Sequence, residues 1–206
     1  MGNDIYESGK LCRYGKIPGL EKPVSRMIFG TAIGPMIEGK NADELLDAAF
    51  AKGINTFDTA RGYGRAEESL GGWMKRRDNR EQVVVISKCG NCDSDGSVCV
   101  NRKVIETELA ESLQALQTDY IDIYLLHRDD PKTPVSEMIN ALNELQKEGK
   151  IKVFGVSNWA HERIEEANRY AKEHQLQGFS VSSPHFGLAE QIADPWGGNC
   201  VTITGK

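Results

Sequence analysis

Ile54-Asn55-Thr56-Phe57-Asp58-Thr59-Ala60-Arg61-Gly62-Tyr63-Gly64 reads as a short apolar strand that hands over to a carboxylate and then to a tyrosine between two glycines. Packing rarely ends a strand on aspartate, because a carboxylate is seldom buried without a partner. Two readings of Asp58 stand at this point: a functional group at a strand end, or an N-cap for the helix that follows. The same design recurs further along the chain, and that recurrence decides the fold.

Upstream, residues 1–25 hold Gly15, Pro18, Gly19 and Pro23 among short apolar pieces, which predicts a hairpin or loop cap. Met27-Ile28-Phe29-Gly30 is a first short strand ending at Thr31-Ala32. Asn41 with Glu44 three residues on has the form of a capping box. Leu45, Leu46 and Ala49 form the apolar stripe of that helix, and Gly53 stops it. Downstream of the opening stretch, Leu70, Trp73 and Met74 mark the buried face of a second helix.

Val83-Val84-Val85-Ile86 is a continuous β-branched run, as in a strand covered on both faces, and it ends at Ser87-Lys88. Asn101 caps a third helix whose Ile105, Leu109, Leu113 and Leu116 fall at helical spacing. Tyr120 to Leu126 is a fourth strand ending at His127, and Thr133-Pro134 supplies an N-cap with proline at the first helical position. That helix turns Met138, Leu142 and Leu145 inward and stops at Gly149. Ile151 to Val156 is a fifth strand ending at Ser157-Asn158; a helix follows from about Ala160, and Phe179 to Val181 is a sixth strand.

Strand and helix alternate at βαβ spacing, which predicts a parallel sheet, either doubly wound or closed as a (β/α)8 barrel. Gly62-Tyr63-Gly64-Arg65-Ala66-Glu67 lacks the third glycine of a dinucleotide fingerprint and follows the wrong strand. A barrel instead places chemistry at the C-terminal ends of several strands. Asp58, Lys88, His127 and Asn158 follow the second, third, fourth and fifth strands in turn. The pattern selects the barrel.

Net charge is −5 over 206 residues with 39% hydrophobic and 27% charged residues, which describes one globular domain and not the basic face of a nucleic-acid binder. No apolar run reaches membrane-spanning length and the N-terminus has no signal-peptide core, so no membrane partner is expected. The cysteines are odd in number (Cys12, Cys89, Cys92, Cys99 and Cys200), which argues against a disulfide framework and for a reducing, cytoplasmic location.

A tyrosine hydroxyl ordinarily titrates near 10, and a neighbouring ammonium favours its phenolate. A carboxylate beside the lysine holds that ammonium charged, and a neutral histidine can donate to a substrate oxygen. Asp58, Tyr63, Lys88 and His127 together make a tuned proton donor with a carbonyl-orienting group. Here the chain resembles the aldo-keto reductase family, in Phe57-Asp58-Thr59-Ala60-Arg61-Gly62-Tyr63-Gly64, Ser87-Lys88, Leu125-Leu126-His127-Arg128 and Gly155-Val156-Ser157-Asn158. Gly30-Thr31 and Gly149-Lys150-Ile151-Lys152 are also similar, and the likeness runs from about residue 24 to about residue 189.

The resemblance implies a (β/α)8 barrel that reduces aldehydes and ketones with a nicotinamide cofactor, usually NADPH. It implies that Tyr63 protonates the carbonyl oxygen, that Lys88 and Asp58 tune Tyr63, and that His127 orients the carbonyl. Gly30, Thr31 and Asp58 would border the cofactor, and Ser157 and Asn158 would hold its carboxamide. In the sixth strand the family's usual Gln and Tyr are replaced by Ser183 and Phe186; Phe186 can still stack, while Ser183 is too short for the Gln contact.

Only six strand–helix starts are visible, and Val201-Thr202-Ile203-Thr204 is too meagre for two more. The expectation is a single domain over 1–206, an incomplete (β/α)8 TIM barrel that lacks its last βα units and the family's cofactor-phosphate grip. An unclosed barrel exposes strand edges, so self-association is expected. The rival functional reading is a shortened, non-catalytic relative that oligomerises and binds cofactor weakly or not at all.

Cys89-Gly90-Asn91-Cys92 with Cys99 offers three thiols and no nearby histidine, so no metal is expected there. Asn91-Cys92-Asp93-Ser94-Asp95-Gly96 mimics the start of a calcium loop, but Arg102 stands where a bidentate Glu is required. Trp73 reads as core, Trp159 as cover for a helix start or part of the barrel mouth, and His161 and His174 as exposed helix residues.

Overall fold

The computed structural model describes residues 12–91, 97–186 and 200–203. A two-stranded antiparallel hairpin, β1 (Tyr14–Gly15) and β2 (Val24–Ser25), comes first. The elements then run β3 (Phe29–Gly30), α1 (Gly34–Ile37), α2 (Asp43–Ala51), β4 (Thr56–Asp58), α3 (Ala66–Arg77) and β5 (Val84–Cys89). They continue α4 (Arg102–Leu116), β6 (Ile121–Leu126), α5 (Val135–Lys147), β7 (Ile151–Ser157), α6 (His161–Glu173) and β8 (Val181–Ser183). A short parallel pair, β9 (His185–Phe186) with β10 (Thr202–Ile203), follows.

Strands β3 to β8 form one six-stranded parallel sheet in chain order. The sheet curls into a half-barrel with the helices outside, an incomplete (β/α)8 barrel. Strand alternation divides the apolar residues between two layers. Val83, Val85, Tyr124, Leu126, Phe154 and Val156 pack outward with Leu46, Leu70, Trp73, Leu109, Met138 and Leu142 from the helices. Val84, Ile86, Ile123, Leu125 and Val153 face the concave side with Val24 of the hairpin, and Ile17 and Leu20 pack against them.

The hairpin therefore plugs the end of the barrel where the strands begin. Ser25 N donates to Thr56 Oγ1 and Tyr14 Oη to Gly53 O, both at the entry to β4. The plug is completed by Asp122, wholly buried on β6, which meets Lys22 at 3.1 Å and Arg80 at 2.8 Å and accepts from Val85 N. Breaking a buried pair leaves uncompensated charge, so Asp122→Ala is expected to cost about 3–5 kcal/mol. Denaturant unfolding checks this; a loss below about 1 kcal/mol, the scale of an exposed pair, would sink it.

Several sequence boundaries shift. Asn41 stands one residue before the N-cap Ala42 and accepts from Asp43 N, so the capping-box reading gives way to a tighter asparagine turn. Leu45 is exposed, leaving Leu46 and Ala49 as the buried stripe. Thr133 likewise precedes the N-cap Pro134, because its hydroxyl is taken by Asp130 Oδ2. The sixth strand begins at Val181, two residues later than predicted, since Phe179 packs edge-on against Phe154 and Trp159 instead of entering the sheet. Trp159 is thus buried cover, and His161 at the start of α6 and His174, its C-cap, are both exposed. Cys92, most of the calcium-like loop and Trp196 lie outside the described residues. Among the described residues, no helix is long and apolar enough to cross a membrane.

Candidate active site

With the strand-entry end plugged, the strand exits are left to form a cavity. Asp58 is the last residue of β4, His127 follows β6 and Asn158 follows β7. Lys88 lies inside β5, one residue before its end, where the sequence placed it just beyond the strand. The cavity measures ≈ 490 Å³ and its wall includes Gly30, Asp58, Tyr63, Lys88, His127, Ser157, Asn158 and Ser183.

Lys88 is the hub. Its side chain is almost wholly buried, and Nζ lies 2.6 Å from Asp58 Oδ1, 2.8 Å from Thr59 O and 3.3 Å from Tyr63 Oη. An ammonium tolerates such burial only when its charge is paired and its protons are used. Tyr63 is placed by the turn that ends β4: its amide donates to Ala60 O, and its carbonyl accepts from Ala66 N at the start of α3. The ring of His127 stands edge-on to that of Tyr63, with centroids 5.6 Å apart.

His127 is held neutral. Burial, reinforced by the positive charges of Lys88 and Arg128, pushes its imidazole down to about 3. Its Nδ1 is buried with no hydrogen-bond partner among the described residues. The unfolded chain's imidazole titrates near 6.5, so on acidification the unfolded state takes up the proton first. This contribution to stability is fully present above about pH 6.5 and is lost as pH falls toward about 3. The slope approaches about 1.4 kcal/mol per pH unit for one proton. Unfolding free energies of the native chain and of His127→Gln across that range check this; identical slopes would defeat it.

Asn158 adopts a left-handed backbone at φ 60°, a conformation that asparagine tolerates. Its Oδ1 accepts from His185 N, its Nδ2 donates to Ser157 Oγ, and Ser157 Oγ donates in turn to Ser183 O. One Nδ2 proton and one Oδ1 lone pair of Asn158 remain after these bonds, which fits a primary carboxamide at this wall. A Cβ built on Gly30 meets nothing within 4 Å, so the opposite wall is open to a flat ring. The remaining sequence candidates stand apart. Thr31 is wholly buried, and Phe186 is 63% exposed while its neighbour His185 lines the cavity.

Comparison with known proteins agrees with this geometry. The model of the Aldo/keto reductase family matches residues 26–194. The chain belongs to the aldo/keto reductase family.

Relatives include Norsolorinic acid reductase B of Dothistroma septosporum, 35% identical over 153 residues, covering 69% of this chain and 39% of that protein. Aldo-keto reductase YhdN of Bacillus subtilis is 36% identical over 162 residues, covering 74% and 49% respectively. Putative aryl-alcohol dehydrogenase AAD14 of Saccharomyces cerevisiae is 32% identical over 194 residues, covering 85% and 51%. This aldo/keto reductase chain spans about half the length of the curated relatives it matches.

Sequence reasoning passed over Glu67, a wholly buried carboxylate on α3. The signal was available: Glu67, Leu70 and Met74 share one helical stripe, and a carboxylate on an apolar stripe demands a partner. His185 and Cys200 on the cavity wall carried no such signal.

Proposed function

We propose that this chain reduces aldehyde and ketone carbonyls to alcohols, with NADPH as reductant and Tyr63 as the proton donor. The observation that carries the reading is Lys88 Nζ, shared between Asp58 Oδ1 at 2.6 Å and Tyr63 Oη at 3.3 Å on the cavity wall. A reduced nicotinamide, when bound, supplies two electrons and a hydrogen to the carbonyl carbon. Tyr63 gives the carbonyl oxygen its proton through Oη. Lys88 stabilises the phenolate left behind, and Asp58 keeps the ammonium aimed. Neutral His127 orients the substrate oxygen as a hydrogen-bond donor without contributing charge. Ser157 and Asn158 hold the carboxamide, Gly30 leaves room for the ring, and Ser183 contributes its carbonyl through Ser157 and Asn158. Thr31 and Phe186 are adjacent in sequence to Gly30 and His185, which line the cavity, and their contact with the cofactor is the least supported part of this reading.

The intact contacts of Lys88 weigh toward this catalytic reading over a non-catalytic one. A cytoplasmic location belongs to the same proposal, supported by the odd number of cysteines in the sequence. Self-association belongs to the same proposal: β3 and β8 each pair on one side only among the described residues, and a single monomer mass in light scattering at every concentration would reject it. The deciding experiment is NADPH titration by fluorescence, followed by turnover with a simple aromatic aldehyde. Saturable binding with aldehyde-dependent oxidation of NADPH supports the reading. Absence of binding at millimolar NADPH overturns it.

A further inference from the structure

Glu67 lies on the first turn of α3, with its side chain turned away from solvent. A carboxylate so placed is held by what it binds. Its Oε1 accepts from Ser87 Oγ at 2.6 Å, and its Oε2 meets Arg61 Nη1 at 3.1 Å. Those two partners belong to the two halves of the site. Ser87 immediately precedes Lys88 on β5 and, by strand alternation, faces the helices while Lys88 faces the cavity. Arg61 sits in the turn that runs from Asp58 to Tyr63, and its own amide donates to Lys88 O at 3.0 Å. Glu111 of α4 meets Arg61 Nε at 3.1 Å and holds the guanidinium from its other side.

From these contacts we infer that Glu67 is a positioning residue. It clamps the Tyr63 turn to the Lys88 strand, so that Tyr63 Oη and Lys88 Nζ keep their mutual reach. The inference rests on the proposed reductase reading for its catalytic consequence, but its geometric content stands without it. A loosened turn moves Tyr63 against Lys88 while leaving Ser157, Asn158 and Gly30 in place. Loss of the clamp therefore falls on the chemical step and spares cofactor binding.

The test compares the full chain with Glu67→Gln, which keeps the shape and removes the charge. Turnover of NADPH with an aromatic aldehyde is expected to fall between about 10- and 100-fold in kcat, with KM for NADPH within about twofold. A second readout does not depend on activity. The buried Lys88 ammonium is followed by nitrogen-15 NMR, assigned by its absence in Lys88→Met, and its proton exchange is expected to accelerate in Glu67→Gln. If Glu67→Gln does not fold, Ser87→Ala removes one arm and retains the ion pair, with the same two changes expected at smaller size. Unchanged kcat, or unchanged ammonium exchange, in the folded variant overturns the inference. If the unaltered chain turns nothing over, the reductase reading fails, and the ammonium exchange alone decides the clamp.

Discussion

Tyr63→Phe is expected to lower kcat for carbonyl reduction by about 10²–10⁴-fold, the range ascribed to a positioned proton donor. The substitution deletes one oxygen and nothing else from the cavity. The ring keeps its edge contact with His127, and the turn keeps its backbone bonds from Tyr63 N to Ala60 O and from Ala66 N to Tyr63 O. Lys88 loses its longest contact, at 3.3 Å, and retains Asp58 and Thr59. Thermal stability and NADPH affinity should therefore stay close to those of the unaltered chain while the chemical step is lost. Steady-state kinetics with cofactor binding measured in parallel separate the two. A rate within about threefold of the original would place the proton donor elsewhere.

The features that made this site legible are the ones the backbone period enforces. A β-branched run such as Val83–Ile86 has to be a covered strand, and a polar residue ending it has to stand at a sheet exit. Asp58, Lys88 and His127 could thus be brought together before any coordinates, whereas residues 1–25 could be read only as a hairpin or loop cap, with no end of the barrel assigned to it. What escaped depends on partners distant in sequence. Asn41 and Thr133 were read as N-caps from local spelling, yet the helices start one residue beyond that reading because Ala42 and Pro134 take the cap. The register of β8 is set by Gly155 opposite Val181, where an added Cβ would fall 2.0 Å from Val181 O, and no local signal encodes that closeness. For Asp122 and Glu67 the sequence can signal that a partner is needed but not which residue supplies it. Each is a lone carboxylate in an apolar pattern, and its partners Lys22, Arg80, Arg61 and Ser87 meet it only in the folded chain.

Lys88→Met should damage both activity and stability, and the pairing with Asp58 separates the two effects. Methionine fills the buried volume of the lysine stem but offers no donor to Asp58 Oδ1, Thr59 O or Tyr63 Oη. Asp58 is partly open to the cavity, its side chain 24% exposed, so water can take over some of the lost interaction. Thr59, wholly buried, has no such recourse. A stability loss of about 1–3 kcal/mol follows, below the full cost of breaking an enclosed pair. The loss in kcat should reach about 10²-fold or more, because the cation that stabilises the developing phenolate is gone. Asp58→Asn alone leaves a buried ammonium with neutral acceptors only. In the double variant that charge is absent, so the combined loss of stability should be smaller than the sum, with a coupling of about 0.5–3 kcal/mol. Denaturant unfolding of the four proteins closes the cycle. Strictly additive losses would mean that the 2.6 Å contact between Lys88 and Asp58 carries no energy, and with it the ordering of the site around Lys88 would fail.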